Sequence, residues 1–471
     1  MDSQLILNMV NLTPNPSYSV TIRLELPNRA GMLASVFQAI ATVGGNLGQI
    51  DLIEQTLHKT IREISVDASS EEHAEQIVQT VKDLTELKVL AVYDRTFNLH
   101  RAGKISIQSK IPLKSQSDLA MAYTPGVGRI CKAIAEDPEQ IYQLTIKQNT
   151  VAIVTDGSAV LGLGNLGPGA ALPVMEGKAM LFKEFGDVDA FPICLDTQDT
   201  EKIIETVKYL APVFGGINLE DIAAPRCFEI EARLRESLDI PIFHDDQHGT
   251  AIVSLAALIN SLKLVKKSRE DIHLVLNGAG AAGVAMARLF KKAGVRNITI
   301  CDSKGIISHN RTDINAQKRE FAVNLSGTLA DAMKDADVFM GVSAPGVVTP
   351  EMVRSMAKNP IVFAMANPIP EIQPELILND VAVVATGRSD YPNQINNVLA
   401  FPGLFRGVLD CGARSLTISM YLEAANAIAS LVSPTDLDRE YVVPSVFDKR
   451  VATAVASAVT HTARQEGLAR N

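Results

Sequence analysis

From Tyr18 to Leu26 apolar and polar residues alternate (YSVTIRLEL), which predicts a half-buried strand. After the loop PNRAG, residues 32–43 carry apolar side chains at helical spacing. Residues 46–54 and 59–67 return to a strand pattern, 71–84 predict a second helix, and 87–93 a closing strand. That βαββαβ order predicts a ferredoxin-like domain over residues 18–96. Residues 1–17, ending in Thr13-Pro14-Asn15-Pro16, predict a loose leader, and Phe97 to Leu119 a polar, irregular linker.

Beyond the linker the pattern changes. Short apolar runs at 150–155, 240–243, 272–277, 297–301, 338–342, 361–366 and 381–386 predict buried strands. Helical spacing separates them at 127–135, 225–238, 250–264 and 284–293, and helices fill the chain from Ala400 onward. The reading is α/β throughout. A ferredoxin-like domain precedes an α/β substrate and metal domain (97–250) and a Rossmann-type doubly wound dinucleotide-binding domain (251–400). Helices over 401–471 complete the catalytic part.

Candidate chemistry gathers around residues 218–251. Two acidic pairs, Glu220-Asp221 and Asp245-Asp246, flank the 225–238 helix, the second at the end of the strand reaching His244. An α/β layer brings such pairs together at the carboxyl edge of its sheet. Carboxylates gathered without cysteine select a hard divalent ion, Mg²⁺ or Mn²⁺. Upstream, Gly157, Gly162, Gly164, Gly167, Gly169 and Gly177 predict tight turns or close approach, and Lys178 is placed at the start of the following helix. Tyr123 stands before a Pro-Gly turn. Gly278, Gly280, Ala281, Ala282 and Gly283 lie in GAGAAG between a strand and a helix, answered by Asp302 at the end of the next strand. This is the context of a dinucleotide fold with pyrophosphate on the helix N-terminus.

Composition narrows the field. At roughly 150 residues per domain, 471 residues suggest about three, and 47% hydrophobic content suffices for their cores. A net charge of −9 and pI near 5.5, with no basic cluster, argue against nucleic acid and anionic membrane. The scattered cysteines lack a CxxC pair, so neither disulfides nor zinc are expected. No charged-then-apolar targeting segment and no membrane-length apolar run stand out, which predicts a soluble, cytoplasmic protein.

The motifs AYTPGVG, VTDGSAVLGLGNLGPGAALPVMEGKA, NLEDI, FHDDQHGTA, NGAGAAG, ANP and NNV, in that order, resemble the malic enzyme family in its smaller bacterial form. The stretch LPNRAGMLASVFQAIATVGGNL resembles ACT domains, which bind small ligands and regulate attached enzymes. The first resemblance implies oxidative decarboxylation of malate to pyruvate and CO₂ with NAD(P). It makes Tyr123 the general acid, Lys178 the general base, and Glu220, Asp221 and Asp246 the metal ligands, with Asp245 orienting the site. Asn367 and Asn397 would bind a substrate carboxylate, Asn367 also bordering the cofactor. Larger members place an arginine before LGLG, where this chain has Ser158-Ala159-Val160. Asp302 suits a ribose hydroxyl, whereas Ser303 and Lys304 suit a 2′-phosphate, so both cofactors are expected with a lean to NADP. The ACT resemblance implies an effector at Arg29, Ala30 and Gly31, or else a dimerisation module, and a homo-oligomer is expected. An amino-acid dehydrogenase would not need the acidic pairs, and a catalytically dead sensor would not need Tyr123 and Lys178.

Overall fold

The computed structural model describes residues 14–470, so the predicted leader lies outside the described residues up to residue 13. The chain divides into two compact units, residues 1–104 and 105–471. In the first, β1 (Asn15–Pro27), α1 (Met32–Thr42), β2 (Asn46–Gln55), β3 (Lys59–Ala68), α2 (Glu71–Lys82) and β4 (Lys88–Asp94) follow the predicted βαββαβ order. The sheet runs β2-β3-β1-β4 with antiparallel neighbours. Alternation works as the pattern implies: Ile22, Leu24, Leu26, Ile64 and Val66 are buried beneath Val36, Ile40, Ile77 and Val81 of the helices.

The predicted irregular linker contains two short helices. Asp94 caps Arg95–His100 by accepting from Phe97 N–H at 2.8 Å, and Ser115 caps Gln116–Ala122 by accepting from Asp118 N–H at 3.1 Å. Capping side chains let polar sequence form a helical turn without a buried face.

The second unit holds two sheets. The first is wholly parallel, in the order β6 (Asp189–Cys194), β5 (Thr150–Thr155), β7 (Gly216–Leu219), β8 (Ile242–His244). Every residue of β5 is buried, as a strand covered on both faces demands. The chain leaves β5 toward β6 on one side and takes up β7 on the other, so loops diverge from the carboxyl ends of β5 and β7. The second sheet runs β11 (Gly305–Ile306), β10 (Asn297–Asp302), β9 (His273–Asn277), β12 (Val338–Gly341), β13 (Ile361–Ala364), β14 (Val383–Thr386). Only the β10–β11 pair is antiparallel. Its strand order reverses between β9 and β12.

Helices α3 (Pro168–Gly186), α4 (Arg226–Ser237), α5 (Asp245–Val265), α6 (Ala281–Lys292), α7 (Phe401–Asp410), α8 (Ile418–Ser430) and α9 (Arg450–Gln465) complete the unit. α5 is the central one. It packs against α6 and α8, and its Asn260 donates to the carbonyls of Ala429 and Val442 at 2.9 and 3.0 Å. Two sequence expectations change here. At 21 residues and hydropathy 1.4, α5 is long and apolar enough to cross a membrane, although no such run was expected. Its burial among neighbouring helices accounts for that composition. Second, α3 begins at Pro168, so Lys178 lies mid-helix rather than at a helix start, and the dipole argument for it falls away.

Candidate active site

Two strand ends of the parallel sheet deliver the acids. β7 ends at Leu219 and passes to Glu220 and Asp221; β8 ends at His244, and Asp245 and Asp246 open α5, where acids suit the helix N-terminus. Oxygen atoms of Glu220, Asp221 and Asp246 lie within 4.8 Å of one another. Asp221 N–H donates to Asp246 Oδ2 at 2.9 Å, and the Asp221 backbone is left-handed, with φ 54°. Such conformations concentrate at functional sites. The loop after β5 closes on the same place: Ala159 N–H donates to Asp221 O at 3.0 Å, and Leu161 N–H to the Asp221 carboxylate.

Lys178 reaches the cluster from α3. Its buried Nζ lies 3.0 Å from Glu220 Oε1, donates to Asp245 Oδ2, and sits 4.2 Å above the centre of the Phe401 ring. Burial works to strip its proton, but Asp245 and Glu220 outweigh burial and hold the ammonium above the usual lysine range. Asp245 is gripped from the other side by Asn397, whose Nδ2 donates to Oδ2 at 2.9 Å, while Thr250 Oγ donates to Asn397 Oδ1 at 3.1 Å. A Cβ at Gly249 would collide with the Asp245 carboxylate, which explains a glycine in the first turns of a long helix. Asn397, expected at a substrate carboxylate, thus has both ends of its amide engaged by protein.

The acids are under strain from one another. Burial, then the neighbouring Asp246 and Asp245, push Glu220 well above the carboxylate range despite Lys178. Burial and Asp246 raise Asp221 to about 7. Asp221 Oδ2 and Asp245 Oδ1 are buried with no hydrogen-bond partner among the described residues. An all-oxygen donor set with orphaned acceptors and surplus negative charge fits a hard divalent cation.

Tyr123 ends the Gln116–Ala122 helix and is 67% exposed; among the described residues its hydroxyl makes no hydrogen bond to the cluster. Neither that helix nor the next, Val127–Glu136, buries a side chain.

At the second sheet, Gly278 has φ 119° and abuts Val342 O, and a Cβ on Gly283 would strike Gly278 O. Gly280 faces open space, and α6 starts at Ala281 and Ala282 with no side-chain cap, leaving a helix N-terminus suited to an anion. Asp302 closes β10. Arg311 clamps both its oxygens at 2.8 and 3.1 Å and Lys318 donates at 2.8 Å; against the effect of burial, they bring it down to about 2. Ser303 is exposed, and Lys304 donates to Asp313 at 2.8 Å. Asn367 is exposed just beyond β13, its amide flanked by Gly387. In the first unit Ala30 and Gly31 are exposed at the start of α1, Gly31 with φ 92° and open space around it, while Arg29 pairs with Glu86 at 2.5 Å.

Sequence reasoning missed several groups. Asn218 donates to Glu220 Oε2 at 2.8 Å, and its place two residues earlier, on the same face of the chain, is a signal it could have used. Phe401, Arg311, Lys318 and Glu371 meet the site only through tertiary contacts.

Models for "Malic enzyme, N-terminal domain" and "Malic enzyme, NAD binding domain" match residues 102–235 and 247–464. The chain is 56% identical to the NAD-dependent malic enzyme of Geobacillus stearothermophilus over 457 residues, 96% of each chain. It is 56% identical to the bifunctional malic/malolactic enzyme of Bacillus subtilis over 390 residues, 81% of this chain and 95% of that one. The crystal structure of malic enzyme from Pyrococcus horikoshii superposes with a TM-score of 0.76 at 49% identity, covering 78% of this chain and 88% of that one.

The raised carboxylates make a pH prediction. Where a folded acid holds its proton more tightly than the unfolded one, stability falls as pH rises between the two pKa values, here from 3.8 to about 7 for Asp221. Protons and a divalent cation compete for the same oxygens. Added Mn²⁺ should therefore raise the melting temperature little at pH 5 and by about 4 °C or more at pH 8. Thermal melts with and without Mn²⁺ at both pH values check this; equal shifts would contradict it.

Proposed function

The chain belongs to the malic enzyme family, which oxidatively decarboxylates malate with NAD(P), and we propose that its reaction runs on a divalent metal held by Glu220, Asp221 and Asp246. The observation that carries this reading is the buried Lys178 shared by Glu220 and Asp245 beside the oxygen cluster. When bound, Mg²⁺ or Mn²⁺ supplies Lewis acidity toward the oxygen on C2 of malate. Glu220 and Asp246, sharing their charge with that ion, would loosen their hold on one Lys178 proton, which passes to solvent and leaves a neutral amine. Lys178 Nζ then accepts the C2 hydroxyl proton as hydride passes to the nicotinamide. After CO₂ leaves, the Tyr123 hydroxyl donates the proton taken up at C3. Asn397 orients Asp245, while the exposed Asn367 amide takes a substrate carboxylate. Pyruvate formation from malate, NAD and Mn²⁺, abolished by a chelator, is the direct test.

NAD is the preferred cofactor in this reading, against the lean of the Ser303-Lys304 motif. Lys304 is committed to Asp313, and the ionised Asp302 opposes a second negative charge at the end of β10. The relative that matches 96% of the chain is named NAD-dependent. The first unit is proposed as an ACT-like effector domain, supported by its βαββαβ order and the open, left-handed Gly31 at the start of α1. A homo-oligomer is supported by Ile107, Ile111, Leu113 and Met121, all exposed on the segment before Tyr123.

Lys178→Ala should lose malate oxidation by about a thousandfold or more yet still decarboxylate added oxaloacetate, whereas Tyr123→Phe should slow the proton uptake at C3. Stopped-flow absorbance and tritium uptake into pyruvate separate the two; identical losses in every partial reaction would defeat the division of roles. Asp302→Asn should raise the NADP:NAD ratio of kcat/KM by about tenfold, or 1.4 kcal/mol, and an unchanged ratio would remove Asp302 from cofactor choice. For the first unit, deletion of residues 1–96 or Gly31→Asp should abolish the response to a metabolite effector while leaving metal-dependent turnover. Effector screens on both forms, with oligomer size measured alongside, test this; a change in oligomer size alone would make the unit an assembly module.

A further inference from the structure

Glu371 is a fully buried carboxylate to which the reaction above gives no task. No lysine, arginine or histidine pairs with it among the described residues. Instead, its Oε1 accepts from Ser343 N–H at 2.9 Å and from the Ser343 hydroxyl at 3.3 Å, and its Oε2 accepts from Ala366 N–H at 3.0 Å. Ser343 Oγ in turn accepts from Asn277 Nδ2 at 2.8 Å. Gly341, the last residue of β12, lies against the carboxylate, and a Cβ there would collide with it. One side chain therefore ties together the carboxyl ends of three neighbouring strands, β9, β12 and β13.

The location gives the arrangement its meaning. β9 ends at Asn277 and hands over to the Gly278 turn; β12 and β13 hand over to the Ser343 and Asn367 loops. A doubly wound sheet binds its dinucleotide in this crevice, where strand order reverses. Two backbone N–H groups could be satisfied by water or a neutral side chain. Burying an unpaired carboxylate to do so carries a large desolvation penalty, most of which three donors must recover. An acceptor of that strength, spanning two loops, suits a requirement for fixed position.

We propose that Glu371 is a positioning residue for hydride transfer: by binding Ser343 and Ala366 at once, it holds Asn367 in register with the Gly278 turn, and so the substrate C2–H against the cofactor ring. This rests on the malate-oxidising reading above.

In Glu371→Gln the shape is kept. The amide oxygen can serve Ser343, but its NH₂ must then face the Ala366 N–H, donor against donor, which releases the Asn367 loop. Assayed well below its melting temperature with Mn²⁺ and NAD, the variant should lose about tenfold or more in kcat for malate oxidation. The kinetic isotope effect with malate deuterated at C2 should rise, because the step made slower is hydride transfer. Decarboxylation of saturating oxaloacetate, which needs the metal site but no hydride, should keep its kcat within about twofold. Ser343→Ala, which keeps the backbone donor but removes the hydroxyl link to Asn277, should shift the isotope effect in the same direction by a smaller amount, and it stands in if Glu371→Gln does not fold. Parallel losses in oxidation and decarboxylation, or no change in the isotope effect, overturn the proposal. Wild-type protein that fails to oxidise malate at all would sink the family reaction and this inference together, whereas parallel losses in the variant sink only the inference.

Discussion

Four carboxylates crowd around one ammonium, and the rest of the molecule is arranged to hold them there. At an effective dielectric near 20, two like charges 4 Å apart repel by about 4 kcal/mol. Glu220, Asp221, Asp245 and Asp246 therefore cannot all be ionised cheaply with only Lys178 among them. The crowding shows as raised pKa values on Glu220 and Asp221 and as an ammonium held unusually tightly on Lys178. A parallel sheet can impose this arrangement because its strand ends are fixed by a backbone ladder, which Glu220 N–H extends to Val154 O at 2.9 Å, and not by the acidic side chains. β7 delivers one pair, β8 and the first turn of α5 deliver the other, and α3 delivers the lysine from its middle, where it cannot swing away.

The same helix links this charge cluster to the cofactor side. α5 begins with Asp245 and Asp246 and then runs, buried along most of its length, against α6, whose first turn faces the Gly278 crevice. Asn397 carries the link further. It lies beyond β14 in sequence yet grips Asp245, so the two sheets share the residue that orients the lysine. The carboxylate cluster on one side and the Gly278 crevice on the other thus rest on one continuous core.

The elements themselves were largely legible in the sequence. β5 matches its apolar run residue for residue, and the GAGAAG turn, with Asp302 behind it, sits where strand-turn-helix context placed it. What failed were local rules that packing overrides. The glycines argued for turns before Lys178, yet α3 runs on from Pro168 through Gly169 and Gly177 because Met175, Ala179 and Phe182 are buried in the core. Asp245 and Asp246 read as a strand end, whereas they begin a helix whose N-terminus favours their charge. The positioning groups were the least visible. Phe401 under Lys178 and Glu371 on Ser343 act across many intervening residues, Arg311 reaches Asp302 over a loop, and no spacing announces them.

Those hidden groups share a physical logic. Several side chains of the candidate site have their position set by a polar neighbour: Glu220 by Asn218, Asp245 by Asn397, and Asp302 by Arg311 with Lys318. A buried polar group is costly when unmatched, so every such neighbour also removes a penalty as it sets an angle. Precision and satisfaction are then the same requirement. Among the buried acceptors left without partners, those on Asp221 and Asp245 fall where a cation would complete the set.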